Sequence, residues 1–349
     1  MIEKELYDIS WKVPEEVYRA DPALSYSTLA KYEREGFEKL DSLFDHISTQ
    51  SLTEGSMVDC LITGSQEEFD SLFYVADIPS IGEKELPIVN YLFENYRTTY
   101  KSMEDIPATY VLEAIKTYDW QRNWRDDTRV RVLTERCSQY YNVKAQAGDK
   151  TVVTMDTFYK VQAMVKALKE SPATSGYFAD NDEMSPIRRY YQLKFKATFN
   201  NVDYRCMMDE VIVDYEKKEI IPIDLKTSHN KEYNFEDSFM RWMYPIQARL
   251  YWIILRANLN NDPYFKDFTL KNYRFIVVNK ESLNPLVWEF PYTTDKGTLV
   301  DEKGNKFRHP FEIGSELRKY LDNKPIVPEG VNIDGLNTIK CLQPEIINA

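Results

Sequence analysis

Apolar and polar positions alternate most regularly in the second half of the chain. Tyr190-Tyr191-Gln192-Leu193-Lys194-Phe195-Lys196-Ala197-Thr198 alternates and is rich in strand formers, and Asn200-Asn201 marks a turn. Residues 204–214 and 219–226 repeat the pattern around a charged turn, Tyr215-Glu216-Lys217-Lys218, which predicts a three-stranded antiparallel meander. Helical spacing over 239–258 predicts one long helix. Strands are expected at 273–278 and 285–290, a helix at 311–321, and an irregular tail over 325–349. The first half differs. Residues 1–25 read as irregular around Pro14 and Pro22. Ser25-Tyr26-Ser27-Thr28-Leu29 opens a helix with Ser27 as its N-cap and Leu29, Tyr32 and Phe37 as apolar positions. Gly55 predicts close backbone packing at the start of a second helix, which carries Asp59 among Val58, Cys60, Leu61 and Ile62. Residues 65–175 read as mainly helical, with breaks near Pro79, Pro87 and Pro107 and a turn at Gly148-Asp149-Lys150. The expected class is therefore α+β (mixed α/β), a small central sheet flanked by helices with a large helical N-terminal part.

No stretch rich in Gly, Ser or Pro separates these parts and no repeat is visible. One domain over 1–349 is expected, with a helical part at 1–180, a catalytic sheet and helix at 187–292, and a closing helix and tail at 300–349. At 349 residues and 43% hydrophobic content the chain can bury a large core. A net charge of −12 argues against a nonspecific nucleic-acid coat, yet leaves room for an enzyme that confines positive charge to one groove. Cys60, Cys137, Cys206 and Cys341 are scattered without a C-x-x-C pair, which argues against zinc and reads as reduced thiols. The opening residues show no apolar signal core, and no run of about 18 apolar residues occurs. A soluble cytoplasmic protein is expected.

The chemistry concentrates in the predicted meander. Each of its last two strands carries an aspartate, Asp209 and Asp224, and Lys226 follows Asp224 by two residues and so shares its face. Apolar neighbours crowd both acids, and a buried acid is costly unless paired or metal-bound. Phosphodiester hydrolysis needs a hard divalent cation, Mg2+ or Mn2+, on oxygen ligands. Asp209, Asp224 and the carbonyl of Leu225 offer them, with Lys226 placed to activate water or to neutralise charge on the phosphorane. On the following helix Gln247 and Tyr251 lie one turn apart on one face, within expected reach of substrate phosphate or of the lysine. Glu210 should point away from the acids, and His229 reads as incidental.

The order Asp209, Asp224-Leu225-Lys226-Thr227, Gln247-x-x-x-Tyr251 resembles the PD-(D/E)XK nuclease superfamily, the last element being shared by its RecB-like branch. Leu24-Ser25-Tyr26-Ser27-Thr28-Leu29 and Gly55-Ser56-Met57-Val58-Asp59 resemble the opening motifs of RecE-type phage exonucleases, which are similar to lambda exonuclease. The resemblance spans about residues 24–280. It implies a Mg2+- or Mn2+-dependent exonuclease on duplex DNA, acting 5′ to 3′ in phage recombination. It also implies a ring-shaped homo-oligomer, a single-strand annealing partner, and residence in the host cytoplasm. Thr227, Gln247 and Tyr251 would contact substrate, and Asp59 would stand in the metal shell where the family has histidine. Gln192 sits near a position that carries glutamate in many relatives, and Glu183 lies further upstream. Gln192, Lys194 and Lys196 are expected to share a strand face, either solvated or binding phosphate. The clustered cysteines of the iron–sulphur branch are missing, so no cluster is expected. Alternatives are an endonuclease or single-strand nuclease on the same core, and a catalytically inactive DNA-binding derivative.

Overall fold

Three consecutive strands, β3 (Ile187–Phe199), β4 (Val202–Asp214) and β5 (Glu219–Ser228), form the expected meander at one side of a mixed six-stranded sheet. The computed structural model describes residues 2–36, 40, 43–44, 50–64, 66–291 and 297–322. The expected tail over 325–349, Phe37 and Cys341 therefore lie outside the described residues. The sheet runs β3-β4-β5-β7-β8, with β7 (Tyr273–Asn279) parallel to β5, β8 (Leu286–Phe290) antiparallel to β7, and the short β6 (Thr269–Leu270) pairing the start of β5. A parallel pair needs a crossover. Here it is made by α9 (Phe235–Arg241) and α10 (Tyr244–Asn260). β7 is buried at Tyr273 and from Phe275 to Asn279. A near-continuous buried run of this kind marks a strand covered on both faces.

One face of the sheet packs on α2 (Tyr26–Glu35), α10 and α11 (Pro310–Leu321), through Leu29, Phe195, Tyr204, Leu250, Phe275 and Leu317 among others. The other packs on α3 (Gln50–Thr63), α4 (Gln66–Leu72) and α8 (Met155–Glu170), through Met57, Val58, Phe69, Val161, Leu225 and Ile276. A separate apolar cluster joins α5 (Leu86–Tyr96), α6 (Ala108–Thr117) and α7 (Asp126–Ala147) around Ile88, Leu92, Ile115, Leu133 and Tyr141. Cys60, Cys137 and Cys206 are buried free thiols. No helix among the described residues is long and apolar enough to cross a membrane.

Several expectations need correction. The helix expected over 239–258 is two helices. The chain breaks at Trp242 and Met243, whose φ of 59° is left-handed, and Pro245 stands in the first turn of α10. Proline is favoured there because its missing N–H has no helical partner to lose. Ser25, not Ser27, occupies the N-cap of α2, and its hydroxyl meets those of Ser27 and Thr28 at 2.9 and 3.2 Å. Gly55 lies inside α3 rather than at its start. A Cβ there would meet Thr227 Oγ1 at 3.4 Å, so the glycine lets the helix approach β5. Sequence periodicity also gave no sign of β1 (Phe73–Val75), which pairs in parallel with β2 (Thr151–Val153), or of the short antiparallel pair β9 (Leu299–Val300) and β10 (Lys306–Phe307). α8 is capped by Thr154, whose hydroxyl accepts from the N–H of Thr157 at 3.2 Å. Thr154→Ala is expected to lower the unfolding free energy by about 1 kcal/mol in urea titration; an unchanged midpoint would show that this cap contributes nothing.

Candidate active site

The paired ladder of β4 and β5 runs from Asp214↔Glu219 to Glu210↔Ile223 and stops there. β4 continues against β3 and β5 continues against β7, so the two strands part. The next residues of the fork are Asp209 and Asp224. Asp209 turns its carboxylate onto β5, where Oδ2 accepts the Leu225 N–H at 2.8 Å in place of a ladder bond. A strand residue's N–H and C=O point to the same side, so the Leu225 carbonyl also faces β4.

Asp224 is buried at 2% exposure. Its Oδ1 accepts from Gln247 Nε2 at 2.5 Å, and its Oδ2 lies 2.6 Å from Lys226 Nζ. Gln247 comes from α10 and is itself buried. Lys226 is wedged between this carboxylate and the Tyr244 ring, 4.7 Å from the ring centroid. A cation over an aromatic face is stabilised by the ring quadrupole. Tyr26, from α2, lies against Tyr244 at a 6.0 Å centroid separation and donates its hydroxyl to the Trp242 carbonyl at 2.6 Å. Neither tyrosine was singled out by sequence, because aromatic residues at helical spacing look the same in a core and in a site.

The electrostatics show which groups converge. Burial, then the charges of Asp224 and Asp59, push the Asp209 carboxyl well above the usual carboxylate range; Lys226 and the Leu225 N–H oppose this. Asp59 is pushed up to about 7 by burial and then by Asp224, with Lys226 opposing. Lys226 is raised although burial works against its charge, because Asp224, Tyr244 and Asp209 outweigh that burial. Burial is the first cause of the rise at Tyr26 and Tyr244 too. Three acids from α3, β4 and β5 thus share one region with one lysine.

The remaining sequence candidates are placed as follows. Tyr251 is buried, 6.4 Å from the Tyr273 ring, and its hydroxyl is raised far above its usual range by burial, with Tyr18, Cys206, Asp224 and Asp209 adding to it. Thr227 faces Gly55 and lines a small cavity with Glu54, Met164, Ser228, His229 and Lys280. Glu183 is exposed in the turn before β3. Lys196 pairs with Asp21 at 2.9 Å. Glu210 is buried without a hydrogen bond at either carboxylate oxygen; burial pushes it up to about 8 against the pull of Arg189. Gln192 has a left-handed φ of 51°, and its flanking pairs Tyr191↔Glu210 and Leu193↔Met208 set it opposite Asp209. That conformation in a strand costs a non-glycine residue about 1–3 kcal/mol.

The donor set suits a hard divalent cation: carboxylates of Asp209, Asp224 and Asp59 and the Leu225 carbonyl. Gln247 Oε1 and the Tyr273 hydroxyl are also buried beside it without a hydrogen bond, as is Asp224 Oδ2 apart from its ion pair. Buried polar atoms left so call for a water or ion. Among the described residues, however, no group of three or more His, Cys, Asp or Glu side chains is drawn tightly enough to hold a metal ion as it stands. Lys226 instead occupies the free side of Asp224.

No protein-family model matches the chain, and no curated protein matches it. Among solved structures, a crystal structure of a presumed exonuclease from Eubacterium rectale is similar at a TM-score of 0.39 and 13% identity, over 81% of this chain and 79% of that one. A likeness that loose carries no residue across.

Proposed function

We propose that this chain is a Mg2+- or Mn2+-dependent deoxyribonuclease, an exonuclease that degrades duplex DNA from 5′ ends. The observation that carries the reading is the fork, where Asp209 and Asp224 leave the ladder together with Lys226 2.6 Å from Asp224. A divalent cation bound there would polarise the phosphate and lower the pKa of its water. Asp209 and Asp224, with Asp59 and the Leu225 carbonyl, would hold it. Gln247 fixes the Asp224 carboxylate from behind, which sets the direction of its second oxygen. Lys226, held between carboxylate and ring, is placed to meet the charge that builds on the phosphorane oxygens. Polarity, a ring assembly and an annealing partner follow from the sequence resemblance alone.

The test is end-specific. With Mg2+, linear duplex labelled at its 5′ ends is expected to release labelled mononucleotides early, and covalently closed circles are expected to survive. Cutting of closed circles would instead make the chain an endonuclease. A second reading, a DNA-binding protein without catalysis, is favoured by the open arrangement of the acids. Calorimetric titration with Mn2+ separates the two, since a folded protein that binds no Mn2+ would support the inactive reading.

A further inference from the structure

At the β3 edge of the sheet, with β4 between it and β5, lies a cavity of 440 Å³ between the N-terminal segment and β3, lined by Tyr7, Trp11, Lys12, Tyr191, Gln192 and Lys194 among others. We propose that this groove holds an unpaired stretch of nucleic-acid strand and delivers it to the acid fork. Its lining combines three aromatic rings with two lysines. Sequence-tolerant single-strand sites are built in this way, from rings on which bases stack and cations that follow the phosphates. The volume falls at the lower end of ligand pockets, about 300–1,000 Å³. It has room for a nucleotide and none for a duplex.

One residue ties the groove to the fork. Gln192 belongs to both: it lines the cavity, and its flanking pairs set it opposite Asp209. Its left-handed backbone is an outlier of the sort that gathers at functional sites. Beyond Pro14 the segment passes into α1 (Glu15–Ala20). A strand lying along Trp11 and Gln192 would have Asp209 as its neighbour across the β3–β4 ladder.

The groove is also built to persist without a ligand. Trp11 donates its backbone N–H to the Lys194 carbonyl at 2.7 Å, which pins the segment to the sheet edge. Its ring meets Tyr18 edge-on at 6.0 Å, with Lys196 Nζ 5.3 Å from it. Lys12 lies 4.6 Å from the Tyr7 ring and 3.3 Å from Asp8. That pair is exposed, and exposed pairs are weak enough for phosphate to compete with the carboxylate. The proposal rests on the nuclease reading for where the strand goes, and not for the binding itself.

The experiment measures anisotropy of a fluorescein-labelled oligothymidylate with the full chain in EDTA, across a salt series. Relative to the native chain, Lys12→Ala with Lys194→Ala is expected to bind about tenfold more weakly. Its slope of log affinity against log salt should be shallower by about 1.4, since each phosphate contact to a single strand contributes about 0.7. Trp11→Ala is expected to lose about tenfold and Trp11→Phe to retain most of the affinity. Unchanged affinity and slope in the double-lysine variant, with an unchanged thermal melt, would overturn the proposal. If the native chain degrades DNA and the double-lysine variant binds and degrades it equally, the groove falls and the nuclease reading stands. If the variant loses binding while the native chain degrades nothing in Mg2+, the nuclease reading falls and the groove stands.

Discussion

Asp224→Asn and Lys226→Ala are each expected to lower DNA cleavage by about a thousand-fold while DNA binding persists, by analogy with the loss of one preorganised charge-stabilising group. The two reach that result differently. An asparagine in place of Asp224 would keep the volume and the oxygen that accepts from Gln247, but would remove the charge that draws both a cation and Lys226. Lys226→Ala leaves a carboxylate of 2% exposure facing an apolar methyl. Stripping one partner from a buried ion pair costs about 3–5 kcal/mol, so this variant is expected to be less stable as well as inactive. Single-turnover cleavage of labelled duplex, read beside anisotropy in EDTA and a urea titration, separates lost chemistry from lost fold. Native rates in either folded variant would remove the fork from the chemistry.

An effect on stability as large is expected at Phe275. It is 1% exposed and stands beside Asp224 in the β5–β7 register. Its ring lies 5.2–5.8 Å from those of Tyr273, Phe239, Phe235 and Tyr244. Phe275→Ala should cost about 3–5 kcal/mol, by lost transfer energy and by the cavity left behind. Phe275→Leu, which keeps most of the volume, should cost about 1.5 kcal/mol or less. Because Tyr244 loses a ring neighbour in the alanine variant, cleavage should fall there in protein that is still folded. A urea midpoint within error of the native value would show that this cluster does not hold the sheet to α9 and α10.

The meander was legible in the sequence because its strands are long, rich in β-branched and aromatic residues, and set off by polar turns. The acids were legible too, because a carboxylate amid valine and isoleucine is chemically conspicuous. Other features left weaker marks. The break at Trp242 and Met243 was masked by apolar residues that continue the helical spacing, although Pro245 was a usable sign of a new helix start. Gly55 was read as a helix start because glycine disfavours helix interiors, whereas it answers a contact with Thr227, distant in sequence. The β1–β2 pair joins three-residue strands 78 positions apart at Phe73↔Thr151, too short for any period to register. Tyr26 and Tyr244 became visible only when packing placed them beside Lys226. Gln192 was legible as a residue, but its left-handed backbone was not, since glutamine carries no preference for it.

The short ladder between β4 and β5 bears on how this chain can change over generations. Five residue pairs separate the Tyr215–Lys218 turn from the fork. Residues gained or lost in that turn leave the pairs, and so the spacing of Asp209 and Asp224, intact; surface turns commonly absorb such changes. A single residue gained or lost within the pairs themselves would rotate Asp209 to the opposite face of the sheet. Variation in loop length is thus uncoupled from the acids, while strand length on either side of the turn is locked to them.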